Sequence, residues 1–245
     1  MAQMVTLLTD FGTKDSYVAE IKAVLLSRVP SLNIVDITHD ISPFEIEEGA
    51  FQLWRSYSWF PPSTYHLAIV DPGVGSARKC LYVKTSHGHF LGPDNGVLKW
   101  AVEDAESHKQ KSAIIYEIPV SGGLRPTFHG RDIFAPFLAE RLRGKKSRLK
   151  LSEMIGRGWP QPQSDGTKTI GEVVNIDRFG NVVTSIALSL SDTANLQLGK
   201  HKITVASSYV SIPKGEVRLI RGSHGLWELS AHDASAAIIL KLKKG

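Results

Sequence analysis

The sequence has almost no cysteine. A single Cys80 in 245 residues excludes an internal disulfide framework and a cysteine-based zinc site. Long hydrophobic runs are missing as well: none approaches the ~20 residues of a membrane span, so no membrane partner is expected. The first residues carry neither the basic nor the apolar stretch of a secretory leader, and a cytoplasmic location is expected. Charge of one sign does not dominate: 29 Lys+Arg stand against 24 Asp+Glu, a net charge of +5. A nucleic-acid binder concentrates its charge in a patch. The nearest run here, between Arg141 and Lys150, reads as a solvated helix end and loop, so no nucleic-acid partner is expected. What remains is an ordinary globular composition, long enough to bury a core without covalent staples.

Strand-like and helix-like segments alternate over roughly the first 150 residues. The strands are expected at 4–9, 32–37, 66–70, 79–85, 89–92 and 114–118. Helices are expected at 15–29, 45–57, 96–102 and 132–142. In the first helix Val18, Ile21, Leu25 and Val29 share a face, and Pro30 ends it. This order predicts an α/β domain with a largely parallel sheet over residues 1–160. Residues 157–168, RGWPQPQSDGTK, read as a linker. Beyond it the segments are strand-like: 169–176, 181–186, 202–206, 216–220, 226–230 and 236–242. They predict a small β-barrel or sandwich over 169–245.

Asp10 and Asp71 stand at two predicted strand ends, where ligands of open α/β sheets bind. Such carboxylates can hold a sugar diol, a cation or a metal, or merely cap the following turn or helix; the residues alone leave these open. His129 precedes a predicted helix with Arg131 and Asp132 beside it. It can orient a water or move a proton, though a loop-bound structural histidine is the plainer reading. His87 and His89 flank Gly88 at a turn with no third ligand nearby, so a solvated turn is favoured over a metal site. In the second domain, 175–181 is dense in polar groups. It is either a bulged hairpin or a face for a base, and composition does not choose. No HExxH or Gly-x-Ser-x-Gly pattern occurs, and no metal is expected.

Several ordered motifs together resemble one family, the S-adenosyl-L-methionine (SAM) hydroxide adenosyltransferases, which is related to the SAM-dependent chlorinases and fluorinases. The motifs are LLTDFGTKDSYV at 7–18, ISPFEIEEGA at 41–50, VDPGVGSAR at 70–78, GPDNGVL at 92–98, TFHGRDIFAP at 127–136 and NIDRFGNVVTSI at 175–186. A weaker one is SHGLWELSAHDASAA at 223–237. The resemblance implies an N-terminal α/β domain, a C-terminal β-barrel and a homotrimer. SAM would be substrate rather than cofactor, bound between the first domain of one subunit and the second domain of its neighbour. It implies hydrolysis of SAM to adenosine and L-methionine by attack at ribose C5′. The catalytic triad would be Asp71, Arg78 and His129. The fluorinase pattern instead has an aromatic at the Asp71 position, a tyrosine at the His129 position and an inserted loop where this chain has a tight turn. A chlorinase-like halogenase and a non-catalytic SAM or adenosine sensor are the alternatives.

Carried over residue by residue, the resemblance implies that Asp10 holds the ribose hydroxyls and Phe44 lines the ribose. Asp15 and Tyr17 would lie near the methionine end, with Phe128 also on the substrate. Asp177 would meet the methionine ammonium. Phe179 and Tyr209 would flank adenine, and Asn181 would hydrogen-bond it. Ser223, Glu228 and Ala231 would fall in the adenine-proximal strand. His224 and Ala231 stand where the fluorinase pattern has arginines.

Overall fold

The computed structural model describes residues 3–109, 111–120, 127–165, 168–187, 195–198 and 201–243. The chain divides into two compact units, Met1–Gly158 and Trp159–Gly245.

The first unit runs β1 (Met4–Thr9), α1 (Tyr17–Arg28), β2 (Asn33–Thr38), α2 (Ile46–Tyr57), β3 (Tyr65–Ile69), β4 (Cys80–Lys84), β5 (His89–Pro93), α3 (Lys99–Lys109), β6 (Ile114–Glu117), a π-helical turn (Gly130–Phe134), α4 (Ala135–Leu142) and β7 (Lys150–Leu151). The sheet order is β2-β1-β3-β5-β4-β6-β7. The β2-β1-β3-β5 pairs are parallel, and β4 and β7 run against the rest, so the sheet is large and mostly parallel. The strands expected at 79–85 and 89–92 around the His87-Gly88 turn are β4 and β5, and their short connection makes the pair antiparallel, because a parallel pair needs a long crossover.

Alternation along β1 sends Val5 and Leu7 to one face and Leu8 to the other. On the first face Ile21 and Leu25 of α1 meet Phe134, Leu138 and Leu142. On the second, Leu53 and Tyr57 of α2 meet Ala101, Val102 and Ala105 of α3. Burying both faces explains why the central strands read as continuous apolar runs. The helix expected at 96–102 is in fact α3, which extends to Lys109. Its polar second half follows the apolar stripe Trp100, Ala101, Val102 and Ala105, so a one-sided helix looked like a loop.

Two histidines expected at a solvated turn, or near it, are packed instead. His89 stacks on Tyr65 with ring centroids 4.3 Å apart, and His87 meets Tyr57 edge-on at 5.5 Å. Next to them His66, fully buried in β3, shares a 2.8 Å hydrogen bond with Thr6 through Nδ1 and stacks on Phe90. Burial, then the neighbouring His87 and His89, pushes the His66 pKa down to about 3. Burial, then Lys84, lowers that of His89 to about 4.

The second unit holds β8 (Gln163–Ser164), β9 (Thr169–Ile170), β10 (Val173–Ile176), β11 (Val182–Thr184), β12 (Asn195–Leu198), β13 (His201–Thr204), a 3-10 turn (Tyr209–Ser211), β14 (Val217–Arg221), β15 (Trp227–Ala231) and α5 (Ala236–Leu240). Its main sheet is antiparallel, in the order β10-β11-β15-β14, with β8-β9 and β12-β13 as separate hairpins. The ladders among the described residues form this separate sheet and do not close a barrel. The strand expected at 169–176 is broken into β9 and β10 around Gly171 and Glu172. The strand expected at 236–242 is the helix α5. Ser235 Oγ accepts the Ile238 N–H at 3.2 Å, capping its start, and Lys241 in the left-handed region ends it. The Ile238-Ile239 pair disguised this helix as a strand.

Among the described residues no helix is long and apolar enough to cross a membrane.

Candidate active site

The chain leaves β1 toward β2 on one side of the sheet, then returns to place β3 on the other. The strand order therefore reverses between β1 and β3, and ligands of open α/β sheets sit at that crevice. Thr9 pairs with Ile69 at the ends of these two strands. Asp10 follows directly and Asp71 one residue later, so both carboxylates emerge at one edge. Asp10 Oδ2 accepts the Phe44 N–H at 3.0 Å, which brings the two residues implied for the ribose together. Phe44 itself is held at φ 71° and is exposed. That is an uncommon backbone for a bulky residue. The side chain of Asn95 donates to the Val70 carbonyl at 2.8 Å and fixes the exit of β3.

Arg78 gathers the triad. Its Nε donates to Asp71 Oδ1 at 2.8 Å, and Nη2 donates to Asp71 Oδ2, making a forked pair. Nη2 also donates to His129 Nδ1 at 2.9 Å. Nη1 donates to Cys80 Sγ at 3.0 Å. The Arg78 and Asp71 side chains are only 9% and 5% exposed. Burial works against the Arg78 charge, but the hydrogen bonds it donates to Asp71 and the presence of Cys80 hold its pKa above the ordinary value. Burial, and then the Arg78 charge, lower the pKa of His129. Burial raises that of Cys80, with Arg78 opposing. Sequence reasoning gave Cys80 no role here. The signal was its place two residues after Arg78, at the first position of β4.

His129 stands just before the π-helical turn. Such a widened turn is common at functional sites. Gly130 allows close packing there: a Cβ would stand 3.0 Å from Ile21 Cδ1 and 3.1 Å from Phe128, so these side chains would have to give way. A pocket of about 140 Å³ opens beside the turn, lined by Asp71, His129, Phe11, Tyr17, Ile69 and Phe128 among others. Phe11, Tyr17 and Phe128 form an edge-on aromatic cluster with centroids 5.2–5.8 Å apart. Arg131 lies 5.1 Å over the Phe128 ring and pairs with Glu20 and Asp132. Asp15 is exposed in the loop leading to α1. An apolar wall facing a carboxylate and an imidazole can seat a cationic, partly apolar group and order a water beside it. Among the described residues no group of three or more His, Cys, Asp or Glu is arranged to hold a metal ion.

The chain matches the model of the SAM hydroxide adenosyltransferase N-terminal domain over residues 5–150, and that of its C-terminal domain over 171–245. It belongs to that family. Among its relatives is a protein of Thermus thermophilus named (R)-S-adenosyl-L-methionine hydrolase, 33% identical over 97% of this chain and 95% of the relative. A protein of Actinoplanes named fluorinase is 25% identical over 75% of this chain and 71% of its own length. A solved structure of an uncharacterised conserved protein from Thermotoga maritima superposes with a TM-score of 0.87 at 35% identity, covering 99% of this chain and 98% of that one.

The second unit builds its own cluster of the residues that the SAM hydroxide adenosyltransferase resemblance singled out. Asp177 organises a tight turn. Its Oδ1 accepts the N–H groups of Phe179 and Asn181, each at 2.9 Å, and its Oδ2 accepts the Asn181 side-chain amide, also at 2.9 Å. The turn buries Asn181 and leaves Phe179 exposed. Glu228, 3% exposed, is a second centre. Its Oε1 accepts from Tyr209 at 2.5 Å and Ser230 at 3.2 Å, and its Oε2 faces His224 Nε2 at 3.1 Å. Burial disfavours the Glu228 charge, yet the His224 and Tyr209 hydrogen bonds bring its pKa below the ordinary value. The Leu226 N–H donates to His224 Nδ1 at 3.2 Å, so the imidazole proton sits on Nε2 and points at Glu228. Gly222 makes room for the imidazole, since a Cβ there would lie 2.5 Å from the ring. Glu228 and Ala231 lie in β15, but Ser223 does not: it is exposed in the turn before that strand. The Gly222–Gly225 hydrogen bond, at 2.9 Å, closes the turn and keeps Ser223 out of the ladder.

Proposed function

We propose that this protein hydrolyses SAM to adenosine and L-methionine, with water attacking ribose C5′ and methionine leaving. The observation that carries this reading is the joining of Asp71, Arg78 and His129 beside an aromatic pocket at the strand switch point. Relatives named (R)-S-adenosyl-L-methionine hydrolase support it, and they direct attention to the (R) epimer at sulfur. The sulfonium is already a good leaving group, so departure needs no acid. The site has only to orient a weak nucleophile in line with the C5′–S bond, a contribution of several kcal/mol in favourable cases.

On this reading Asp10 and Phe44 hold the ribose. Tyr17, Asp15 and Phe128 border the methionine end. Asp177, Phe179, Asn181, Tyr209, Ser223, Glu228 and Ala231 belong to the ammonium and adenine side, supplied by the second unit of a neighbouring subunit in a homotrimer. The second unit is read as a small barrel; the Val205–Leu219 bridge, which joins the end of β13 to β14 and so the β12–β13 hairpin to the main sheet, supports this reading. The enzyme works in the cytoplasm, without metal or added cofactor.

Purified protein is incubated with chelator and with each sulfur epimer of SAM, and the products are separated by chromatography. Adenosine and methionine in equal amounts are expected. S-adenosylhomocysteine would sink the reading, and chloride-dependent 5′-chloro-5′-deoxyadenosine would establish the halogenase instead. Tight SAM binding with no product would favour a sensor. The shared site is tested by refolding Asp71→Ala together with Asn181→Ala. Random mixing in a cyclic trimer gives about a quarter of sites with both halves intact. Activity absent from either parent should return. If refolded wild type is active and mixed trimers are present but dead, the site lies within one chain.

A further inference from the structure

Arg78 has five N–H donors, and each has a partner inside the protein. Nε and one Nη2 hydrogen go to Asp71, and the second Nη2 hydrogen goes to His129 Nδ1. The Nη1 hydrogens go to Cys80 Sγ at 3.0 Å and the Lys79 carbonyl at 3.4 Å. A guanidinium accepts no hydrogen bond and does not deprotonate in a protein. It has nothing left to offer a water. Arg78 is also absent from the lining of the pocket, which Asp71 and His129 both reach.

We infer that the attacking water is held between His129 as donor and Asp71 as acceptor, while Arg78 touches no reacting atom and positions both, with Cys80 anchoring its far edge. The inference rests on the hydrolase reading. Because His129 Nδ1 accepts from Arg78, the neutral ring carries its proton on Nε2. That N–H donates to a lone pair of the water and does not take its proton. Asp71 has about four acceptor positions, of which Arg78 fills two. A remaining one faces the proton of the water.

The step balances with these groups alone. The water oxygen bonds to C5′, the C5′–S bond breaks, and its electron pair stays on sulfur as the neutral thioether of methionine. The protonated 5′-oxygen gives its proton to the Asp71 carboxylate, which returns it to solvent on product release. A weakly basic carboxylate suffices, because it deprotonates an oxonium and not neutral water.

The test compares His129→Gln with His129→Ala, and Cys80→Ala with Cys80→Ser, in the full-length protein at saturating SAM. Glutamine places amide hydrogens near the position of Nε2–H and cannot serve as a base. His129→Gln should keep kcat within about tenfold of wild type, and His129→Ala should lose about a hundredfold or more. Cys80→Ala should lower kcat about fivefold, the worth of one hydrogen bond, with KM unchanged. Cys80→Ser, which restores an acceptor, should recover most of that loss. Nitrogen-15 spectra should show His129 as the Nε2–H tautomer in wild type and as a mixture in Cys80→Ala. If folded, SAM-binding His129→Gln is as inactive as His129→Ala, the histidine is a base and the inference falls. An Nδ1–H tautomer in wild type overturns it even if no variant folds. Wild type that forms no adenosine strikes the hydrolase reading first, and the tautomer then judges the geometry by itself.

Discussion

Arg78 in the first unit and Glu228 in the second are opposite charges placed in the same way. Each is almost fully enclosed, and each is held by several hydrogen bonds within its own unit. They differ in what surrounds them. The partners of Arg78, Asp71 and His129, line a pocket. Among the partners of Glu228, His224 is 3% exposed and Ser230 is closed off, while Tyr209 is half-exposed. On the proposed reading, one centre orders two groups for chemistry and the other orders one aromatic face for contact, so that in both the buried charge would set the geometry of neighbours that meet the substrate.

Removing the charge at each centre should break this comparison most visibly at Arg78. Arg78→Ala leaves Asp71 buried without its counter-ion, a loss of about 3–5 kcal/mol where such pairs are broken. It also releases the His129 tautomer, so kcat should fall about a hundredfold or more. Arg78→Lys should not rescue it, because a lysine cannot fork to Asp71 while also holding His129, Cys80 and the Lys79 carbonyl. Kinetics and thermal melting on the two variants check this. Near-normal kcat in Arg78→Lys would mean that only its charge matters.

Acid should separate the two units. His66 and His89 are held neutral in the folded first unit, with pKa values near 3 and 4 against 6.5 when unfolded. Below pH 6.5 the unfolded chain binds protons that the folded unit refuses, so stability falls as pH drops from 6.5 toward 4 and 3. Each histidine contributes a slope of about 1.4 kcal/mol per pH unit in that window. In the second unit the Glu228 pKa is lowered from 4.5, so its stabilisation is intact above 4.5 and lost as pH falls through the folded value. Hydrogen exchange between pH 6.5 and 4.5 should show protection falling in the β-strands of the first unit before β15. The His66→Gln variant should flatten that loss. Equal loss in both units across this window would contradict the assignment.

Much of this was legible because the first unit obeys simple periodicities. The apolar run before Asp10 and that before Asp71 became adjacent parallel strands, which put both carboxylates at one edge. The motifs at 70–78 and 127–136 named the triad, but nothing in their spacing shows that Arg78 exhausts its donors, since Lys79 and Cys80 read as the start of a strand. The second unit was harder to read. Its strands are short, their ends are set by turns and not by alternation, and Ala236–Leu240 is a helix that only Ser235 announces. The packing of His224 against Glu228 was hidden as well. It depends on the space left by Gly222, and a missing side chain carries no pattern.

Glu228→Gln is the smaller counterpart of the Arg78 substitution. The amide oxygen can accept from His224 Nε2–H while the NH2 group donates to the Tyr209 and Ser230 hydroxyls, so what is lost is the charge-assisted part of these bonds, about 1–2 kcal/mol. Melting temperature should fall, KM for SAM should rise and kcat should stay within a few-fold of wild type. A fall in kcat as large as that of Arg78→Ala would place Glu228 with the chemistry and erase the distinction between the two centres.

Tyr209→Phe is the finest cut. It removes a hydroxyl that donates to Glu228 at 2.5 Å and leaves the ring and its surroundings in place. Glu228 keeps His224 and Ser230 as donors, so the stability loss should be only about 0.5–1.5 kcal/mol, that of one hydrogen bond. The ring, half-exposed and without this tether, gains rotamer freedom that it must lose again when a base stacks on it. SAM should therefore bind a few-fold more weakly at equal kcat, and adenosine should weaken by the same factor, because both carry the base. Methionine inhibition should not change. If adenosine and SAM affinities both stay at wild-type values while the melting temperature drops, Tyr209 serves only the interior of the second unit. The contact face would then have to be sought at Phe179.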